Sequence, residues 1–121
     1  MATREITMDP SKPLEVNVVS RSPHVLGYRV WTHTPQTTGP WQQVADGRTD
    51  DNVPDNAQVP ALASGSSLAY WFGVGGNPGT QYRALLLLSQ DGQMLNDGTI
   101  IEEGLTDSNG FAVVERQVRF Q

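Results

Sequence analysis

From Ser67 to Phe120 apolar and polar positions alternate with a period of two, interrupted at short intervals by glycine, asparagine and aspartate. Leu68, Tyr70, Phe72 and Val74 interleave with Ala69, Trp71 and Gly73, the pattern of a half-buried strand. Gly75-Gly76-Asn77-Pro78-Gly79 breaks the alternation, and Tyr82 to Leu88 resumes it. Leu85 to Leu88 is apolar on both faces, which predicts a central strand covered on each side. Asp91-Gly92, Asn96-Asp97-Gly98 and Asp107-Ser108-Asn109-Gly110 supply further turn signals, and Ala112, Val114, Val118 and Phe120 alternate to the end.

The first half reads more raggedly. Strands are predicted from Arg4 to Met8, from Leu14 to Val19, from Val25 to His33 and from Trp41 to Ala45. Asp46 to Asn56 reads as the longest turn-like segment and the most acidic. Val59 to Ala63, interrupted by Pro60, reads as an edge strand or extended loop. Ser67 to Val74, Gln81 to Ser89, Thr99 to Glu102 and Gly110 to Phe120 then form a regular meander, with a hairpin connection at Gly73 to Gly79. No window sustains a helical period. The expectation is all-β: one antiparallel sandwich of about eight strands, filling residues 1–121 as a single domain.

Tyr82-Arg83-Ala84-Leu85, Asp91-Gly92-Gln93-Met94-Leu95 and Gly104-Leu105-Thr106-Asp107-Ser108-Asn109-Gly110-Phe111 resemble the closing strands of bacterial Ig-like and transthyretin-like sandwich modules. In that motif the aspartate and asparagine cap a turn and the glycine supplies positive φ. The resemblance covers about a third of the chain. It implies an Ig-like or transthyretin-like fold and slightly favours an interaction module; it implies no chemistry.

Composition narrows the function. The chain has no cysteine, which excludes disulfides and thiolate chemistry, and no apolar run long enough to span a bilayer. Thirteen acids against eight basic residues, of which one is a lysine (Lys12), give a net charge of −5 and leave no basic stripe for nucleic acid or an anionic membrane. Met1 to Glu5 lacks the apolar stretch of a signal peptide, so the expectation is cytoplasmic or exported by a signal-less route, with the compartment open.

Candidate chemistry is sparse. His24 and His33 accompany many serines, but no nucleophile-elbow motif is present, so a small hydrolase ranks third among the functional readings. Asp50-Asp51 and Glu102-Glu103 are adjacent pairs, which point to opposite faces if they lie on strands. Gly73 to Gly79 is followed by a strand where a phosphate loop needs a helix. Asp50, Asp51, Asp55 and Asn56 cluster hard oxygens suited to calcium, without the EF-hand spacing; no other cofactor is expected.

Strand phase singles out one face. Leu26, Tyr28 and Val30 share one side of the third strand, and Arg29, Trp31 and His33 share the other; Trp71 opposes the Leu68 row. With Trp41, these residues mix aromatic and hydrogen-bonding groups, as a sugar platform or a protein interface does. The expected function is a non-catalytic binding module with a protein partner or a second copy. The alternative is a lectin-like carbohydrate binder, calcium-assisted through the Asp50–Asn56 loop.

Overall fold

The computed structural model describes residues 4–35, 40–49 and 54–121. They form nine strands: β1 (Arg4–Ile6), β2 (Leu14–Ser20), β3 (Val25–His33), β4 (Gln42–Thr49), β5 (Asp55–Val59), β6 (Ser67–Gly75), β7 (Gln81–Gln90), β8 (Gln93–Leu105) and β9 (Phe111–Phe120). Five make one sheet in the order β1-β9-β6-β3-β4, and four make the other in the order β5-β2-β7-β8. Every pairing is antiparallel except that of β1, which runs parallel to β9.

Alternation explains the core. Leu26, Tyr28 and Val30 of β3 and Leu68, Tyr70, Phe72 and Val74 of β6 face Leu14, Val16 and Val18 of β2 and Leu86 and Leu88 of β7 across the sandwich. Phe72, Leu68, Leu86 and Leu88 are fully buried. Each contributes about 1.5–3 kcal/mol by leaving water.

Several expectations need correction. The described residues form nine strands, and their connections are not a meander. Only β3–β4 and β7–β8 are hairpins; the other connections pass from one sheet to the other. The glycine-rich Gly75–Gly79 segment therefore crosses between sheets instead of closing a hairpin. A period of two fixes which residues share a face, but it carries no information about which sheet a strand joins. Thr99–Glu102 is part of the thirteen-residue β8, which runs through Asn96-Asp97-Gly98. That tripeptide forms a bulge: Leu87 pairs with Thr99 while Ser89 pairs with Met94. Part of the acidic Asp46–Asn56 segment is strand, since β4 continues to Thr49 and β5 begins at Asp55. Trp41 precedes β4, and β5 ends at Val59 before Pro60, so Val59–Ala63 is not a strand.

β7 is an inner strand, between β2 and β8. Leu86 and Leu88 join the main core, and Leu85 on the other face pairs with Val19 and Ile101 in adjacent strands.

Candidate functional site

The outer face of the five-stranded sheet carries Trp31, His33 and Trp71. Pairing sets Arg29 opposite Trp71, Trp31 opposite Ala69 and His33 opposite Ser67. On the far side of β6, Trp71 pairs with Glu115, Ala69 with Gln117 and Gly73 with Val113. On β4, Asp46 pairs with Arg29 and Gln43 with Trp31. Two rows therefore cross four strands: Asp46, Arg29, Trp71, Glu115, and one step along, Gln43, Trp31, Ala69, Gln117.

The position of Trp71 depends on glycine. Its six-membered ring occupies the space that a Cβ on Gly73 would fill, 2.4 Å from Cη2, and reaches towards Gly27 on the neighbouring strand. Gly27 and Gly73 are register partners, so two bare backbones form a floor under one edge of the indole. The Arg29 guanidinium carbon lies 6.0 Å from the indole centroid, at the outer limit of a cation–π contact. His33 and Trp41 pack at 5.3 Å between ring centroids, inclined by 35°. Trp71 and Trp31 are half-buried, while Arg29 and Trp41 are exposed. Phe111 and Val113, 61% and 65% exposed, extend the same face along β9. Their exposure was not singled out in the sequence, although their phase opposite Ala112 and Val114 carries the signal.

The calcium residues behave differently. Asp50 and Asp51 lie outside the described residues. Asp55 Oδ2 accepts a hydrogen bond from the Tyr28 hydroxyl at 3.1 Å, on the core side of β5. Asn56, the next residue, donates from Nδ2 to Asn17 Oδ1 at 2.9 Å on the other side. The two described members thus point to opposite faces of their sheet and do not converge.

His24 is buried and tied at both ring nitrogens. Thr80 Oγ1 gives its proton to Asn77 O at 2.6 Å, so it accepts from Nε2–H of His24 at 2.8 Å. Nδ1 then accepts from Ser22 Oγ at 2.9 Å, and Ser22 Oγ accepts from the Arg83 amide at 3.1 Å. This ordered chain links the β2–β3, β6–β7 and β8–β9 turns, where Thr106 Oγ1 also donates to Asn77 O. No carboxylate bonds to His24 in it, and every proton is already committed. The chain of bonds fastens the three turns to one another.

A cavity of about 200 Å³ opens between β8 and β9, lined among others by Arg4, Tyr70, Glu102 and Arg116. Three of its polar groups meet one another: the Tyr70 hydroxyl donates to Glu102 Oε2, and Arg116 Nε lies 3.7 Å from the same oxygen. Burial, and then the bond to Glu102, pushes the Tyr70 phenol upward. Burial and the Asp55 bond push the Tyr28 phenol up to about 12. Glu102 and its neighbour Glu103 face opposite ways, Glu103 lying 3.8 Å from Arg83 on the outer surface.

No protein-family profile matches the chain, and no curated protein matches it. Among solved structures it is similar to a domain of unknown function, DUF4425, from Bacteroides vulgatus, with a TM-score of 0.54 and 9% identity over 93% of this chain and 97% of that one. The similarity extends over the whole fold and shows the fold alone.

Proposed function

We propose that this chain is a non-catalytic binding module whose working surface is the outer face of the five-stranded sheet. The observation that carries the reading is the placement of Trp71 over the glycine pair, continuous with exposed Phe111 and Val113. An indole seated on bare backbone offers a broad contact surface with few side-chain rotors to order on binding. The resemblance of the closing segment's sequence to Ig-like and transthyretin-like modules is what favours an interaction role. Exposed Phe111 and Val113 favour a protein contact, including one with a second copy, as what this face binds.

The first test needs no ligand. A residue kept for binding costs little stability when truncated, whereas a core residue costs much. Trp71→Ala is expected to lower unfolding free energy by less than about 1 kcal/mol, against about 2–5 kcal/mol for Leu86→Ala, by urea denaturation. A Trp71→Ala cost equal to that of Leu86→Ala would make the indole part of the structural framework and remove the reading.

A further inference from the structure

We infer that the cleft between β8 and β9 is a binding site for a small organic monocarboxylate, held by Arg4 and Arg116 with its apolar end against Ile100 and Val118. The site is separate from the outer face of the five-stranded sheet and stands whatever that face binds.

Strand phase builds the cleft. Arg4 of β1 is the register partner of buried Val118 on β9, so it shares that residue's inward side. Arg116 keeps the same phase on β9, and Glu102 keeps the phase of buried Ile100 on β8. Alternation would send all three charged side chains to the core. They lie instead where β8 and the β9–β1 edge part, and with Tyr70 they line the cavity of about 200 Å³. Ile100 and Val118, 2% and 1% exposed, give it an apolar floor, and Ile101 is exposed beside it.

The charges are unequally presented. Glu102 Oε2 already takes the Tyr70 hydroxyl and has Arg116 Nε nearby. Its side chain is 14% exposed, against 39% for that of Arg116. Arg116 spends Nη1 on the Glu115 carbonyl, which leaves its other terminal nitrogen for a ligand. Arg4 is exposed and makes no salt bridge among the described residues. A ligand entering here meets two guanidiniums around a covered carboxylate, an excess of one positive charge.

Neighbouring acids face away from the cleft. Glu115 shares its register position with Trp71 on the outer face, Glu5 pairs with Arg119 there, and Glu103 lies by Arg83. The net charge of −5 is spread over the chain, and between exposed groups it is screened beyond about 8 Å at physiological ionic strength. Close range therefore decides, and close range is cationic.

A single negative charge balances the site, and a planar carboxylate matches the fork of a guanidinium. The apolar floor rewards a hydrocarbon end, which an inorganic anion lacks. The cavity lies below the roughly 300–1,000 Å³ of pockets for drug-sized ligands, so the acid is a short one.

The isotope-labelled full chain is titrated with butyrate, hexanoate and benzoate and followed by amide chemical shifts, with butyramide, benzamide and inorganic phosphate as comparators at matched ionic strength. Saturable shifts at Ile100 to Glu102 and Arg116 to Val118 are expected with at least one carboxylate, about fivefold tighter than with its amide or with phosphate. Arg4→Gln leaves the Tyr70–Glu102–Arg116 group intact, so it should weaken binding about fivefold at an unchanged melting temperature. Glu102→Gln keeps an acceptor for the Tyr70 hydroxyl and removes the opposing charge, so it should tighten binding several-fold. No saturable shift at those residues, an amide or phosphate bound as tightly as the carboxylate, or wild-type affinity in Arg4→Gln would each overturn the assignment. Weaker binding by a folded Glu102→Gln variant would overturn it too, since the covered carboxylate would then be the group that holds the ligand. If Glu102→Gln unfolds, the Arg4→Gln comparison decides alone.

Discussion

Gly110 and Gly73 show two different reasons for a residue without a side chain. Gly110 has φ of 84°, and a Cβ there would lie 2.1 Å from the carbonyl oxygen of Gly76. Both objections are to backbone, which cannot swing aside. Gly110→Ala should therefore cost about 2 kcal/mol or more in unfolding free energy by urea denaturation, and a cost near zero would contradict the packing of that turn. At Gly73 the obstacle is the far end of the Trp71 side chain, which moves readily, so the loss there falls on the surface and not on the fold. The first glycine was legible in the sequence. Asp107, two residues from Asn109 and four from Phe111, receives both amides on Oδ1 at 2.8 and 2.9 Å, as the Asp-x-x-Gly turn implied. The second was not, because nothing in the order of residues says that Trp71 leans along its strand towards Gly73 or that Gly27 lies alongside. His24 illustrates the same limit: its partners Ser22 and Thr80 are 2 and 56 residues away, and the second became visible only with the fold.

Strands β8 and β9 show how an element's edge is managed. The thirteen residues of β8 pair on one side only, with β7, and β1 covers just Val118 to Phe120 of β9. Such edges invite addition of a further strand. Inward-facing charges oppose it: Arg116 on β9 and Glu102 on β8 meet across the opening, together with Tyr70. An added strand would have to bury or break that group. Replacing it with an apolar set (Arg116→Val, Glu102→Val, Tyr70→Phe) is expected to keep the chain folded, because no polar partner is left orphaned. The same variant should self-associate in a concentration-dependent way by size-exclusion chromatography. A strictly monomeric elution at high concentration would show that the charges do not guard the edge. Element boundaries were most legible where alternation is strongest: β3 runs from Val25 to His33 as the pattern predicts, and β6 and β7 differ from it by one residue at one end. β8 was misread because Asn96-Asp97-Gly98 uses turn residues to make a bulge. There Gly98 passes so close to the Leu88 carbonyl that a Cβ would lie 2.7 Å from it.

Across the whole molecule the two sheets are joined at each lateral opening by a tyrosine and a carboxylate. Tyr28 of β3 donates to Asp55 of β5 on one side, and Tyr70 of β6 donates to Glu102 of β8 on the other. Neither link could be read from the sequence, because each spans the two sheets and depends on how they are stacked. Both phenols are held above the ordinary value of 10, Tyr28 at about 12, by burial first and by the carboxylate second. The sign of the linkage follows. Above pH 10 the unfolded chain releases phenolic protons that the folded chain retains, so it binds fewer protons and stability falls as pH rises. The stabilisation is complete below pH 10 and is lost as pH climbs through the folded values, near 12 for Tyr28 and likewise raised for Tyr70. The surface pair Lys12–Asp91, at 2.7 Å, weakens in the same direction, since Asp91 raises the lysine and deprotonation removes the attraction. A variant is therefore needed to separate the two. In wild type the melting temperature should fall steeply between pH 10 and 12, with the rise in tyrosinate absorbance at 295 nm delayed relative to the urea-unfolded chain. Tyr28→Phe with Tyr70→Phe should start from a lower melting temperature at pH 8, having lost both hydrogen bonds, and show a shallower decline above pH 10, because Lys12 remains while the two phenols are gone. A double variant whose melting temperature declines as steeply as that of wild type would mean that these phenols do not hold the sheets together through alkaline pH.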